Sequence, residues 1–300
     1  MIFPQVPDCL FMVRPASFGF NSDTASTNAF QQQTTSTDSV HDTALAEFDA
    51  AVETIRNADI ELLIINDSVV LEKPDAIFPN NWFSLHADGR LILYPMMAPS
   101  RRLERSASHL ALLQNKFGPL EIVDLTFYEN QQRFLEGTGS IIFDHLHKIA
   151  YACRSQRTDE VVLNDVCTRL GYTPFLFEAV DENGTPVYHT NVMLCVGEHV
   201  AVVCLDAIRN EDAQERLLAS FASTHHRVVA ISYQQMRCLA GNMMEVQGRD
   251  GKRFLMLSHT ARESLLDGQI KELARYAELL PVHIPTIERY GGGHLYIQEC

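Results

Sequence analysis

Phe78-Pro-Asn-Asn-Trp82, Glu136-Gly-Thr-Gly-Ser140, His189-Thr-Asn-Val-Met193, Ala240-Gly-Asn-Met-Met244 and Gly291-Gly-Gly-His-Leu295 are five short polar stretches, each opening a new run of chain. Their first residues stand 58, 53, 51 and 51 positions apart. A near-constant step of that size marks one supersecondary unit used repeatedly. The residues between the stretches support this. Apolar positions at three-and-four spacing, such as Ala44, Leu45, Phe48, Ala51, Val52 and Ile55, predict helices over 42–56, 100–116, 159–170, 211–223 and 261–279. Asp42, Ser100, Thr158 and Asn210 stand where N-caps belong. Short β-rich runs follow the helices at 60–65, 120–125, 173–177, 227–231 and 281–284. A second strand follows four of the polar stretches, at 91–95, 149–154, 200–205 and 254–259.

The fifth stretch runs out of chain before its second strand. Leu10-Phe-Met-Val-Arg-Pro15 has the character of Ala150-Tyr-Ala-Cys-Arg154 and can supply it from the other end. An N-terminal strand completing the last unit would close a ring and remove the exposed edge of a linear array. The expected fold is therefore one α/β domain over 1–300, a pseudo-symmetric five-unit propeller. A two-layer α+β protein with accidental repetition is the alternative.

Composition narrows the function. Among 300 residues, 24 Lys and Arg face 38 Asp and Glu, a formal charge of −14, which disfavours nucleic acid as a partner. The seven cysteines form an odd set without a Cys-x-x-Cys pair, against a disulfide framework or zinc ribbon and for a reducing, cytoplasmic setting. No apolar run approaches the roughly 18–20 residues of a membrane span, and the first residues lack the pattern of a signal peptide. His145, His147, His225 and His226 read as loop residues without a ligand cluster, so neither a metal nor another cofactor is expected. Gly137-Thr-Gly-Ser140 lacks the lysine of a phosphate loop and implies no nucleotide.

On a pseudo-fivefold frame, equivalent positions converge near the axis. The lead position holds Phe78, Glu136, His189, Ala240 and Gly291, and two residues on stand Asn80, Thr138, Asn191, Asn242 and Gly293. A repeated turn alone would use one residue type throughout. A carboxylate and an imidazole brought together suit acid–base chemistry, because burial tunes the first and the second titrates near neutrality. Asn80, Asn81, Asn191 and Asn242 are binding candidates or turn residues. Asn21, Asn28 and Gln31 lie in a polar loop, and Arg14 either binds a substrate carboxylate or caps a strand.

Together these stretches, with Ile284-Pro-Thr-Ile-Glu288 before the glycine run, resemble the guanidino-group-modifying superfamily of arginine deiminases, dimethylargininases and amidinotransferases. Met12-Val-Arg-Pro15, Asn28-Ala-Phe-Gln31 and Tyr188-His-Thr-Asn-Val-Met193 resemble its citrulline-utilisation hydrolase branch most. The resemblance implies a five-unit propeller and a small ureido or guanidino amino acid as ligand. It also implies a cysteine thiolate that attacks the central carbon to form a covalent intermediate. His189 matches the acid–base residue, and Glu136 the carboxylate that orients it or holds a substrate nitrogen. The loop carrying Asn28 matches one that covers the pocket. Arginine-using relatives carry aspartates at the positions matching Asn81 and Asn191. An amide offers both donor and acceptor to an uncharged ureido group, so citrulline is favoured, with ornithine as product. Arginine deimination or dimethylargininase-like activity is the alternative.

The superfamily's nucleophile ends a Gly-Gly-Gly-Ser-x-Arg-Cys pattern. Here the register that sets serine at His294 sets cysteine at Ile297. Cys300 comes three residues later, an odd shift that turns a strand residue to the other face unless a bulge intervenes. Three readings follow: Cys300 is a displaced nucleophile, the chain binds its ligand without turnover, or the last residues are altered or incomplete.

Overall fold

The computed structural model describes residues 4–25, 27–28, 30–31, 40–293 and 298–299. Its strands, in chain order, are β1 Cys9–Arg14, β2 Glu61–Asn66, β3 Phe83–Leu85, β4 Arg90–Leu93, β5 Glu121–Asp124, β6 Ile142–Asp144, β7 Ile149–Cys153 and β8 Thr173–Phe177. They continue as β9 Leu194–Val196, β10 Val200–Val203, β11 Arg227–Ala230, β12 Met244–Gln247, β13 Arg253–Ser258, β14 Glu278–Val282 and β15 Gln298–Glu299.

These strands build five three-stranded sheets, β3-β4-β5, β6-β7-β8, β9-β10-β11, β12-β13-β14 and β15-β1-β2. Every sheet has the same wiring. The first strand after a polar stretch runs antiparallel to the central strand, and the third runs parallel to it. A parallel return needs a crossover, and helices supply it. The helices Val40–Asn57, Ala107–Phe117, Glu160–Leu170, Glu211–Ser223 and Asp267–Leu273 lie between the central and third strands of their sheets. In the fifth sheet the N-terminal β1 is the centre, and Leu10 pairs with Glu299 and Phe11 with Gln298. The strand expected to come from the far end of the chain does so.

Central strands are buried on both faces and therefore read as continuous apolar runs. Phe11, Leu91, Ala150, Tyr151, Val202 and Leu257 are fully inaccessible. Beside the first polar stretch, the Trp82 and Phe83 rings lie tilted with centroids 4.3 Å apart, and Phe11 meets Phe83 edge-on at 5.3 Å. They pack the frame rather than a ligand. Truncating one such ring costs about 3–5 kcal/mol.

Two predicted helices are broken. Residues 100–116 form Pro99–Arg102 and Ala107–Phe117, the second capped by Ser106, because Arg101 and Glu104 turn inward. Residues 261–279 form His259–Ser264 and Asp267–Leu273, and β14 begins at Glu278. Asp159, not Thr158, caps Glu160–Leu170 by accepting from Val161 and Val162. The reading of four separate loop histidines is corrected for two of them. His147 and His226 come together beside Asp144, although they stand 79 positions apart in sequence.

Candidate active site

The first three polar stretches are tight helical turns, Pro79–Asn81, Gly137–Ser140 and Thr190–Val192, each just before the first strand of its sheet. Three residues complete one 3₁₀ turn, so the lead residue and the one three later share a face. Phe78 and Asn81 are so related across Pro79–Asn81, and both line a cavity of about 310 Å³. His189 lines the same cavity, as do Thr24, Asn28, Gln31, Asp75, Arg101, Arg157 and Tyr188. In the second stretch the position equivalent to Asn81 is Gly139. A Cβ there would lie 2.5 Å from Asn81 Nδ2 and 2.8 Å from His189 Nδ1, so only glycine lets the two approach.

Residues two positions after the lead point elsewhere, since two residues are two-thirds of such a turn. Thr138, Asn191 and Asn242 line a second cavity of about 610 Å³, together with Gln5. Asn80 is fully buried, and neither of its amide atoms has a partner among the described residues. The structure thus brings Asn81, Glu136 and His189 together and sets Asn80 and Asn191 outside their cavity. Asn28 does line it, with its amide committed: Nδ2 donates to the Gly291 carbonyl and Oδ1 accepts from Phe30. Arg14 is not in the cavity lining. Asp49 on helix Val40–Asn57 binds its guanidinium twice at 2.8 Å, at a partly exposed position. Cys300 and Ile297 lie outside the described residues.

His189 Nε2 donates to Glu136 Oε2 at 2.9 Å, and the Met97 backbone N–H donates to Glu136 Oε1 at 3.1 Å. Arg157 stands 3.4 Å from the same carboxylate. Burial alone would raise the Glu136 carboxyl. The Arg157 charge, the His189 hydrogen bond and the nearby Arg101 charge outweigh it and hold the group well below the usual carboxylate range. Burial pushes His189 down to about 4 against the opposing pull of Glu136. The imidazole is therefore neutral at pH 7. Its one proton is on Nε2, and the lone pair on Nδ1 is left to take a proton. Tyr188 supports it with ring centroids 4.6 Å apart, stacks under Arg157 at 5.1 Å, and donates to the Gly292 carbonyl at 2.6 Å.

The second half of the cavity is built on Arg101. Its guanidinium is bound by both Glu104 oxygens at 2.8 and 2.9 Å, lies 3.8 Å from Asp75, and donates to Asn81 Oδ1 at 2.5 Å and to the Phe78 carbonyl at 3.0 Å. A guanidinium cannot accept, so Asn81 must present its oxygen to Arg101 and its NH₂ to the cavity. Among the described residues that NH₂ has no partner, and neither has Asp75 Oδ1, whose other oxygen accepts from Asn21 at 2.7 Å. Burial raises the Asp75 carboxyl, opposed by Arg101. Gln31 Nε2, also at the cavity, is a further unpaired donor. Arg101, Arg157, Asp75, Glu104 and Tyr188 are site residues that sequence reasoning missed. Asp75 carried a signal, since it precedes the lead Phe78 by one turn of three. The arginines carried none, because an inward arginine has the sequence pattern of an outward one.

Among the described residues, no cysteine lines this cavity. Burial pushes Cys153 and Cys204 up to about 11 and Cys167 to about 12, which makes them inert thiols.

The sequence profile of the family described as N,N dimethylarginine dimethylhydrolase, eukaryotic, matches residues 14–296. No curated protein matches the chain in sequence. Among solved structures, the N-terminal domain of ArgZ, an arginine dihydrolase of the ornithine–ammonia cycle in Cyanobacteria, is 13% identical with a TM-score of 0.73. The match covers 96% of this chain and 95% of that domain, in a Cys-to-Ser mutant bound to substrate. Against the full ArgZ chain the match covers 38% of its length. A dimethylarginine dimethylaminohydrolase mutant, as its adduct with S-methyl-L-thiocitrulline, is 13% identical with a TM-score of 0.63, covering 96% and 97% of the two chains. Identities this low carry the fold and no more.

Proposed function

The chain belongs to the N,N dimethylarginine dimethylhydrolase family, within the guanidino-group-modifying superfamily, and we propose that it acts on an uncharged ureido amino acid, citrulline. One observation carries this reading: an unpaired donor, Asn81 Nδ2, and an unpaired acceptor, Asp75 Oδ1, line one cavity whose carboxylates already have cationic partners. A ureido group matches that pair, its oxygen accepting from Asn81 and its NH₂ donating to Asp75. A guanidinium offers donors only and would face the N–H groups of Asn81 and Gln31 with nothing to accept them. Arg101 and Arg157 occupy the Glu104 and Glu136 carboxylates, so neither is left to pair with a cation, methylated or not. A site built for such hydrogen bonds discriminates by roughly 10⁴-fold.

The five sheets are the blades of one pseudo-symmetric propeller domain in this reading, closed by β15 on β1. The reaction follows from the His189–Glu136 pair and a thiol from the residues after Gly293, the step that the superfamily's chemistry supplies. Neutral His189 takes the thiol proton, and the thiolate adds to the ureido carbon. The bond from that carbon to the ornithine nitrogen breaks, and His189 returns the proton to the leaving amine. A carbamoyl thioester remains. Water, deprotonated by His189, adds to it and releases carbamate and the thiol. Glu136 stabilises the imidazolium at each stage.

A second reading is favoured by the register of β15. Gln298 pairs with Phe11 and Glu299 with Leu10, so successive residues run toward the Cys9 end of β1, away from the cavity. Without a thiol at the cavity, the same residues bind citrulline and do not turn it over.

Ornithine release from citrulline by the purified chain tests both, with arginine in parallel and Cys300→Ala beside it. Turnover of citrulline that the variant loses supports the hydrolase. No turnover, with citrulline raising Tm, supports the binding protein. Arginine turned over faster than citrulline overturns both.

A further inference from the structure

β6 ends in a second carboxylate–imidazole cluster that the reaction does not use. Asp144 is fully buried, and among the described residues the imidazoles of His147 and His226 stand 2.9 and 4.0 Å from its carboxylate. One ligand atom from each of the three residues lies within 4.8 Å of the other two. The structure assigns to Asp144, His147 and His226 a divalent transition-metal site of the zinc class.

The His226 tautomer is already the one a metal needs. His226 Nε2 is 3.0 Å from the Gly197 carbonyl, which can only accept, so the proton of the neutral ring is there. Its Nδ1 lone pair then faces Asp144 Oδ2, 4.0 Å away. Fixing a ring through its far N–H to a backbone carbonyl is how proteins set a ligating histidine. At present Nδ1 accepts from the Thr224 hydroxyl at 2.7 Å. That hydroxyl has other acceptors in the Ser220 and Phe221 carbonyls, at 3.0 and 3.2 Å, so releasing Nδ1 leaves no polar group unpaired. His147 Nδ1 lies 2.9 Å from each Asp144 oxygen, and its proton would move to Nε2 or to solvent as the ion takes its place.

Ligand atoms about 2.0–2.1 Å from a tetrahedral zinc stand about 3.3 Å apart. The present separations of 2.9 and 4.0 Å bracket that value. Two imidazoles and one carboxylate fit zinc's borderline character, and exposed His147 leaves a path for the ion and a place for water as the fourth ligand. His147 lies in the β6–β7 turn of the second sheet, and His226 immediately precedes β11 of the third. The ion would therefore staple two sheets at the end of β6 remote from Glu136, a structural site rather than part of the reaction.

The test strips the full chain with a chelator, then titrates Co²⁺ and Zn²⁺ into it, into His147→Ala and into His226→Gln. The expected result is one equivalent of Co²⁺ with the absorption of a tetrahedral complex, displaced by Zn²⁺. Affinity should fall by about tenfold or more in each variant, and Tm should rise with Zn²⁺ only in the parent chain. His147 is exposed, so its variant should match the parent Tm in chelator. Absence of the tetrahedral band, or a band and affinity unchanged in His147→Ala, overturns the site.

Discussion

The short strand β6 has a buried carboxylate at either side, and the two are stabilised differently. Glu136, just before it, has a histidine, a backbone N–H and the Arg157 guanidinium. Asp144, at its end, has histidines and the backbone N–H of His147. An unpaired buried charge is costly, so something must compensate each group. Where fixed arginines do so, the neighbouring imidazole is spared that duty, remains neutral and is free to shuttle a proton. Where no arginine stands, the imidazoles and the carboxylate turn on one point, which is the arrangement a cation fits. The same pair of residue types gives an acid–base device or an ion cradle according to whether an arginine was placed beside it.

The sharpest way to break this contrast is Glu136→Gln, which keeps the shape and removes the charge that stabilises an imidazolium. Citrulline turnover should fall by about 10²–10⁴-fold with the circular dichroism spectrum unchanged, and near-parental activity would reassign Glu136 to structure. Next comes Asn81→Leu, which removes the donor to the ureido oxygen and the acceptor for Arg101. The loss, measured as citrulline affinity by calorimetry, should be roughly tenfold to a hundredfold, the worth of a buried hydrogen bond left unmade. Gly139→Ala pushes a methyl between Asn81 and His189. A destabilisation of about 1–3 kcal/mol should appear in the urea midpoint, with activity reduced as well.

Acid stability gives the smallest expected effect and bears on the neutrality of His189. The folded imidazole titrates near 4 rather than at its ordinary 6.5. Between those values the unfolded chain binds a proton that the folded chain does not, so this group lowers stability as pH falls from 6.5 toward 4. His189→Gln should flatten the stability curve in that window. An unchanged slope would mean that His189 is charged in the folded protein.

The architecture was legible because repetition amplifies weak signals. Five helix–strand pairs in the same order outweigh the ambiguity of any one, and 211–223 and 173–177 were placed to the residue. The breaks were not legible. The apolar pattern over 100–116 continues through a point where the chain leaves the helix so that Glu104 can hold Arg101 and Arg101 can reach Asn81. Local periodicity cannot register a contact to a residue 20 positions away. Glu136 and His189 were found because the frame aligned their stretches. Asn80 and Asn191 share the second position after the lead, yet Asn81, one residue later, is the asparagine that reaches the His189 cavity. The Asp144 cluster stayed hidden because its histidines belong to different sheets.

The pairing of β15 with β1 has a consequence for how the protein is made. β1 leaves the ribosome before the other strands of its sheet, and its antiparallel partner is Gln298–Glu299. At 5–20 residues per second, the 284 positions from Arg14 to Gln298 take roughly 15–60 s to synthesise. Throughout that interval β1 can pair with β2 on one edge while the other offers a row of free N–H and C=O groups to any passing strand. The nascent chain must keep that edge unoccupied until Gln298–Glu299 arrives, and the cavity, whose wall includes Gly291 and Gly293, gains those residues only shortly before.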